Sequence, residues 1–413
     1  MFRCFGVSVF RSYRPTDLPT YRPTDLPIYR PTDLPTYRST DLPIYRNTAF
    51  SLPLPRPALL SLTLVDPEIR SLIENSFTGG ASDVFLIEGE RPRVRGDGEL
   101  IIAHGGAVSR NAIAEIWREC GLDPDKATDG DASMSVDHIG RLRVNAYRTL
   151  GRLAVALRTI KREIPDFPEL GLPQPLLTSW MERRSGLVLV TGPTGAGKST
   201  TLAACLQWIN RHQARHVVTL EDPIEYLFEN QRSWFSQREI RRDTGDFDVA
   251  LRASLRQSPD VILIGEIRDA ETAATALRAA ETGHLVLATL HSSGVADTVE
   301  RLTRMLDSTH GATASLLGQQ LVGILSQQLL PQINGGVLAI LEYVQNEAAV
   351  RKWIAEGNYT DLKDHLQRSD DSIACSFLRY LIAATQQGII DPETARSATD
   401  RPQDFDRAMR GIS

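Results

Sequence analysis

Short apolar runs alternate with helical patterns between residues 186 and 330. The apolar runs cover residues 187–191, 217–220, 261–264 and 285–290. Continuous apolar runs of this length are typical of strands that are buried on both faces. The alternation therefore predicts an α/β fold in which a mainly parallel sheet is covered by helices.

The flanking regions have a different pattern. Residues 58–170 predict a small α+β domain with strands at 84–87, 93–95, 141–147 and 153–160 and a helix at 111–120. Four prolines between 165 and 175 predict a linker, which we place at 171–185. After Pro331 we expect a helical C-terminal region, 331–413, in which Gly388 follows one helix and Asp391 caps the next.

The first 57 residues contain a tandem repeat. An octamer that starts Tyr-Arg-Pro-Thr-Asp-Leu-Pro begins at residue 13 and recurs with small changes at 21, 29 and 37. Proline at this density removes backbone donors and forbids helix, so residues 1–57 are expected to form a disordered arm. We favour an expanded repeat, or translation from upstream of the true start, over a docking function.

Composition and the lengths of the apolar runs argue against a membrane-spanning protein, a Cys-x-x-Cys metal or redox protein and a nucleic-acid-binding protein. The chain has 413 residues, 42% of them hydrophobic and 23% charged, which suits soluble globular domains. No apolar run approaches the roughly 18 residues that a membrane span needs. Its four cysteines form no Cys-x-x-Cys pair, and the net charge of −5 gives no reason to expect nucleic-acid binding.

Residues 192–200 fit the phosphate-binding pattern G-x-x-x-x-G-K-[ST]. An apolar strand precedes them and a helical pattern follows, which is the context that this motif requires. Lys198 is expected to reach the β- and γ-phosphates of ATP, and Ser199 to supply a hydroxyl to Mg²⁺. The predicted nucleotide-binding residues are Gly192, Pro193, Thr194, Gly195, Ala196, Gly197, Lys198, Ser199 and Thr200.

Candidate catalytic residues follow three other predicted strands. Glu221 follows the strand at 217–220, Glu266 follows the next, and His291 follows a third. Carboxyl ends of parallel strands face the nucleotide crevice. We expect Glu266 to hold Mg²⁺ through water and Glu221 to orient or deprotonate the attacking water, although the reverse assignment stays open. His291 is a candidate sensor of the γ-phosphate.

Together these segments resemble the secretion ATPases of type II secretion and type IV pili, with a closer likeness to the pilus-retraction (PilT) family of twitching motility. Residues 219–225 look like the family's aspartate box, 261–269 its Walker B segment and 282–291 its histidine box. Residues 349–357 are similar to a C-terminal retraction motif, with Lys352, Trp353 and Ala355 departing from it. The likeness covers about residues 58–413.

The resemblance implies a hexameric ATPase whose subunits have a PAS-like domain and a RecA-like P-loop core. Arginines of the small domain are then candidates to reach the γ-phosphate: Arg141, Arg143, Arg148 and Arg158, with Arg143 and Arg158 preferred. It also implies a cytoplasmic protein at the inner membrane face, with a pilus or secretion platform protein and a paralogous ATPase as partners.

Three alternatives to a pilus-retraction motor stay open. One is a secretion motor of the DotB type, and the second is a regulatory ring subunit that binds nucleotide without turnover. Intact Lys198, Ser199, Glu221 and Glu266 disfavour the regulatory subunit. The third is a DNA motor, which the acidic charge balance disfavours.

Overall fold

The structure is a computed structural model that describes residues 66–96, 99–136, 139–160, 163–307, 313–368 and 372–411. All of these residues belong to one compact unit. The predicted arm, 1–57, lies outside the described residues and stays a prediction. Among the described residues, no helix is long and apolar enough to cross a membrane.

The N-terminal part is an antiparallel sheet of six strands, in the order β3-β2-β1-β6-β5-β4, with two helices. Its elements are α1 (Pro67–Thr78), β1 (Asp83–Ile87), β2 (Arg93–Gly96), β3 (Glu99–Ile102), α2 (Arg110–Glu119), β4 (Asp129–Val136), β5 (Gly140–Thr149) and β6 (Arg152–Thr159). The four strands and the helix that the sequence predicted in this region are confirmed.

Local sequence explains these elements. Ser109 caps α2, because its side chain accepts a hydrogen bond from the amide of Ala112. Buried and partly exposed residues alternate along most of β5, as expected for a strand with one face on a core. That core lies between the sheet and the helices, and Trp117 at its centre is fully buried.

The second sheet has eight strands in the order β14-β13-β12-β7-β11-β10-β8-β9. Its elements up to β12 are α3 (Gln174–Met181), β7 (Gly186–Thr191), α4 (Lys198–His212), β8 (His216–Glu221), β9 (Trp234–Glu239), α5 (Phe247–Ser254), β10 (Val261–Ile264), α6 (Ala270–Glu281), β11 (Leu285–Leu290), α7 (Val295–Asp307), α8 (Thr313–Gln320) and β12 (Leu321–Pro331). The six strands from β7 to β12 pair in parallel, and every residue of β7, β10 and β11 is buried. The predicted mainly parallel sheet is confirmed.

The chain after β12 adds two strands and five helices, namely β13 (Val337–Gln345), α9 (Ala348–Glu356), α10 (Tyr359–Arg368), β14 (Ala374–Cys375), α11 (Phe377–Gln386), α12 (Pro392–Ala398) and α13 (Pro402–Met409). The expectation of helices alone after Pro331 is wrong at β13, which pairs antiparallel with β12 in the main sheet. Caps at the last helices agree with the sequence, since Gly388 has φ 70° and Asp391 accepts from the amides of Glu393 and Thr394.

The predicted linker, 171–185, is also more structured than expected. It contains α3, whose Leu177, Trp180 and Met181 are buried in the core around α4 and β7. The prolines around it set its start, because Pro173 precedes the helix and a second proline occupies its first turn. The stretch is therefore an integral layer of the ATPase part.

Candidate active site

The P-loop connects β7 to α4 in the way that the motif predicted. Gly192, Gly195 and Gly197 have φ values of 141°, 80° and 84°, a region that residues with a Cβ rarely adopt. Helix α4 begins at Lys198, directly after the loop. The amide groups of its first turn and the positive end of the helix therefore face the predicted phosphate site.

Lys198 folds back over the loop. Its ammonium donates hydrogen bonds to the carbonyl oxygens of Gly192 and Pro193, each at 2.9 Å. Partial burial lowers the pKa of Lys198, and the nearby carboxylates of Glu266 and Glu225 oppose that shift. A phosphate group in the cleft would add negative charge beside the ammonium and favour its charged form.

His291 joins Lys198 to Glu266. The Lys198 ammonium lies 3.5 Å from His291 Nδ1, and His291 Nε2 lies 3.3 Å from a carboxylate oxygen of Glu266. A neutral imidazole with its proton on Nε2 satisfies both contacts, because Nδ1 then accepts and Nε2 donates. Glu266 also accepts a 2.7 Å hydrogen bond from Arg268. The candidate sensor therefore contacts both the P-loop lysine and the Walker B acid.

Glu221 occupies the end of β8 and has a different environment. Its Oε1 accepts a hydrogen bond of 2.6 Å from Thr219 and one of 3.5 Å from Gln237. Burial in the protein raises the pKa of Glu221 to about 7, although the two hydrogen bonds act in the opposite direction. A carboxyl group with a pKa near neutrality is suited to accept a proton and to release it again.

Most of the predicted site residues line one cleft of about 560 Å³. It is lined by P-loop residues 194–200 together with Glu221, Glu266 and His291. The strands that carry the two acids, β8 and β10, are neighbours, and a Cβ on Gly265 would lie 3.4 Å from the Glu221 Cα atom. Gly192 and Pro193 are not among the lining residues, but their carbonyl oxygens accept hydrogen bonds from Lys198.

Of the two preferred arginines, only Arg158 lines this cleft. Its guanidinium forms a 2.7 Å ion pair with Asp83, and its side chain is 64% exposed, which leaves room to turn toward a nucleotide. Arg143 is paired with Arg158 across β5 and β6 but is not among the residues that line the cleft, and its guanidinium lies 3.7 Å from Asp131. A catalytic role for either residue stays a prediction.

The other two candidate arginines make structural contacts. Arg141 lies 3.6 Å from Glu239, which is buried at the end of β9, so this pair joins the two sheets. Arg148 donates to backbone carbonyls, including that of Ala127 at 3.0 Å, and its guanidinium lies over the ring of Trp117. Both guanidinium groups therefore already have partners away from the P-loop.

The protein part of a Mg²⁺ site is sparse. Ser199 donates a 2.9 Å hydrogen bond to Glu225, so a hydroxyl and a carboxylate lie together at the start of α4. In the described part of the chain, no group of three or more His, Cys, Asp or Glu side chains forms a metal-binding cluster. A site with so few protein ligands is normal for Mg²⁺, because this ion is usually held by one or two protein groups together with substrate phosphates and water.

Sequence reasoning missed several contacts of this site. Tyr226 bonds the hydroxyl of Thr200 at 2.8 Å, and Gln237 reaches Glu221 from the neighbouring strand β9. Glu225 was part of the aspartate-box segment, but its contact with Ser199 was not foreseen. The sequence contains only one signal for these contacts, which is the abundance of polar side chains after β8. It does not identify the partners, because they depend on how the loop after β8 folds.

Fold and site together define a P-loop ATPase with a preceding α+β domain. Residues 61–373 match the family model described as "Type II/IV secretion system protein". The chain therefore belongs to the type II/IV secretion ATPase family.

Individual relatives refine this assignment. The chain is 35% identical to the type IV pilus retraction ATPase PilT of Pseudomonas aeruginosa, over 82% of this chain and all of that protein. It is 41% identical to a twitching motility protein of Neisseria gonorrhoeae, over 64% of this chain and 71% of that protein. The crystal structure of the retraction motor PilT with bound ADP matches with a TM-score of 0.76 and 37% identity, covering 82% of this chain and 99% of the other. The predicted PilT-type ATPase is confirmed at the level of class and fold.

Proposed function

We propose that this protein is a ring-forming motor that hydrolyses ATP to retract a type IV pilus. The contact of Lys198 with Glu266 through His291 carries the proposal of hydrolysis, because it links the phosphate-binding lysine to the acid that we assign to Mg²⁺. Retraction is supported by the similarity to PilT over the full length of that protein.

Each residue has a proposed role. Lys198 binds the β- and γ-phosphates, and Glu221 takes the proton of the attacking water. Ser199 and, through water, Glu266 would hold Mg²⁺, which would neutralise phosphate charge. Arg158 leaves Asp83 and contacts the γ-phosphate.

The proposed assembly is a hexamer at the cytoplasmic face of the inner membrane, with a pilus platform protein as partner. A closed ring of identical subunits uses heterologous contacts, which suits an ATP site that a neighbour completes. A paralogous ATPase is a further proposed partner, since the chain is also 34% identical to the type IV pilus ATPase PilU of Pseudomonas aeruginosa. Light scattering with and without ATP tests this assembly, and a monomer at every protein concentration would contradict it.

A secretion motor is the second candidate. The structure of the Legionella pneumophila ATPase DotB matches with a TM-score of 0.70 and 25% identity, covering 85% of this chain and 98% of that chain. Deletion of the gene in its own organism separates the two functions. Loss of twitching with retained surface pili supports retraction, whereas normal twitching with loss of an exported protein supports secretion.

Complementation then tests whether hydrolysis is required. The wild-type gene should restore the lost phenotype, and a Lys198→Ala gene should not. Restoration by the Lys198→Ala variant would favour a regulatory subunit without turnover.

A further inference from the structure

Gln327 of β12 contacts the P-loop from the neighbouring strand. Its side chain is 1% exposed, and both ends of its amide are bonded. Gln327 Nε2 donates to the carbonyl oxygen of Ala196, inside the loop. Thr201, in the first turn of α4, donates from its hydroxyl to Gln327 Oε1 at 2.8 Å. One buried amide therefore ties the loop and the helix to the sheet.

Two glycines of the phosphate motif make room for this residue. A Cβ on Gly192 would overlap the backbone oxygen of Gln327, and a Cβ on Gly197 would lie 3.1 Å from Gln327 Nε2. Contacts that short are rarely tolerated. These glycines therefore serve the packing of β12 as well as the approach of phosphate.

The bond to Ala196 has a consequence for the next amide. In a trans peptide the carbonyl oxygen and the following N–H point in opposite directions, because the group is planar. Gln327 holds the Ala196 oxygen toward the sheet, so the N–H of Gly197 points away from the sheet and toward the phosphate side of the loop. Amides aimed in this way form the anion-binding concavity of a P-loop.

We propose that Gln327 is a positioning residue for nucleotide binding, which orients the Ala196–Gly197 peptide for phosphate. This amide acts on the bound nucleotide before and during the reaction alike. Loss of such uniform binding raises Kd and KM and leaves kcat nearly unchanged. A residue needed for the chemical step would instead lower kcat.

The first test compares three variants of the full chain. Gln327→Leu keeps the volume and removes both bonds, and we expect the Kd for ADP and the KM for ATP to rise by about ten- to a hundredfold, with kcat within about threefold. Thr201→Val removes only the bond to the helix and should change Kd by less. Gln345→Leu is the matched control: Gln345 lies on β13 and bonds Trp180 at 3.2 Å, so its loss should lower Tm without changing Kd.

The second test uses charge and does not depend on volume. Gln327→Glu keeps the shape but places a carboxylate oxygen against the oxygen of Ala196. When protonated, this carboxyl can donate to Ala196 and replace the lost bond. The Kd of Gln327→Glu for ADP should therefore improve as pH falls from about 8 to 6, relative to wild type.

Three results would overturn the proposal. They are an unchanged Kd in folded Gln327→Leu, a fall in kcat with Kd unchanged, and a Gln327→Glu affinity that follows wild type at every pH. If Gln327→Leu does not fold, the pH series of Gln327→Glu decides the question.

Discussion

The two sheets of this protein differ in how they bring functional side chains together. In the eight-stranded sheet, β7, β8, β10 and β11 run in parallel, so their carboxyl ends meet at one edge. Lys198, Glu221, Glu266 and His291 are far apart in sequence and yet all line one cleft. The parallel direction of the strands produces this convergence, so a sequence that predicts parallel strands also predicts the shared site.

The six-stranded sheet is antiparallel, and its candidate arginines make contacts with different partners. Arg143 and Arg158 are directly paired on β5 and β6, but Arg143 contacts Asp131 while Arg158 contacts Asp83 and lines the cleft. Two residues that are paired across this sheet can therefore contact different side chains. Individual contacts therefore decide each role, and these contacts cannot be predicted from strand order.

The largest expected effect is that of Lys198→Ala. Removal of the charge that we propose to bind the β- and γ-phosphates should lower both ADP affinity and ATP turnover by orders of magnitude. Phosphate release and calorimetric titration measure the two effects. The control is Lys352→Ala. Lys352 is an exposed lysine on α9, and this variant should behave as wild type. Wild-type turnover in Lys198→Ala would remove the P-loop from the mechanism.

Arg158→Ala tests whether the antiparallel sheet contributes one positioned arginine to the ATP site. If Arg158 contacts the γ-phosphate, its loss should lower kcat by about 10³-fold or more, the range of arginine fingers. Arg143→Ala, on the paired strand, should change kcat little. Equal losses in both variants would mean that the antiparallel sheet contributes a cluster of arginines and not one positioned residue.

The two acids should differ in the step that they affect. Glu221→Gln should bind ATP normally and hydrolyse it about 10²–10⁴-fold more slowly, as expected when a general base is lost. Glu266→Gln should in addition weaken the dependence of ATP binding on Mg²⁺. Single-turnover kinetics at several Mg²⁺ concentrations separate them. Normal hydrolysis by Glu221→Gln with an inactive Glu266→Gln would reverse the two roles.

The smallest expected effect on turnover comes from α9. Val350 and Ile354 are buried, whereas Arg351 and Glu356 are exposed. The double variant Arg351→Ala, Glu356→Ala should keep wild-type ATP turnover and Tm but lose pilus retraction, if this face transmits force. Ile354→Ala is the contrast and should cost about 2–5 kcal/mol of unfolding free energy. Normal retraction by the double variant would leave α9 with a packing role alone.

Sequence predicted the parallel sheet and the P-loop well because both depend on local pattern. It failed at β13, where we expected helix, although the Asn-Gly-Gly turn at residues 334–336 is a hairpin signal. It also missed α3, since prolines around a short helix look like a linker. The contact of Gln327 with Ala196 spans 131 positions and depends on two strands lying side by side, which no local pattern reveals.

The pH dependence of kcat/KM, which reports ionisation of the free enzyme, tests the central claim that Glu221 at the parallel edge is the base. Because burial raises its pKa to about 7, Glu221 is charged above that pH and protonated below it. Wild-type kcat/KM for ATP should therefore fall about tenfold per pH unit below about 7. The residual activity of Glu221→Gln should lack this acid limb. A wild-type kcat/KM that stays constant from about pH 6 to 8, or the same acid limb in Glu221→Gln, would contradict the claim.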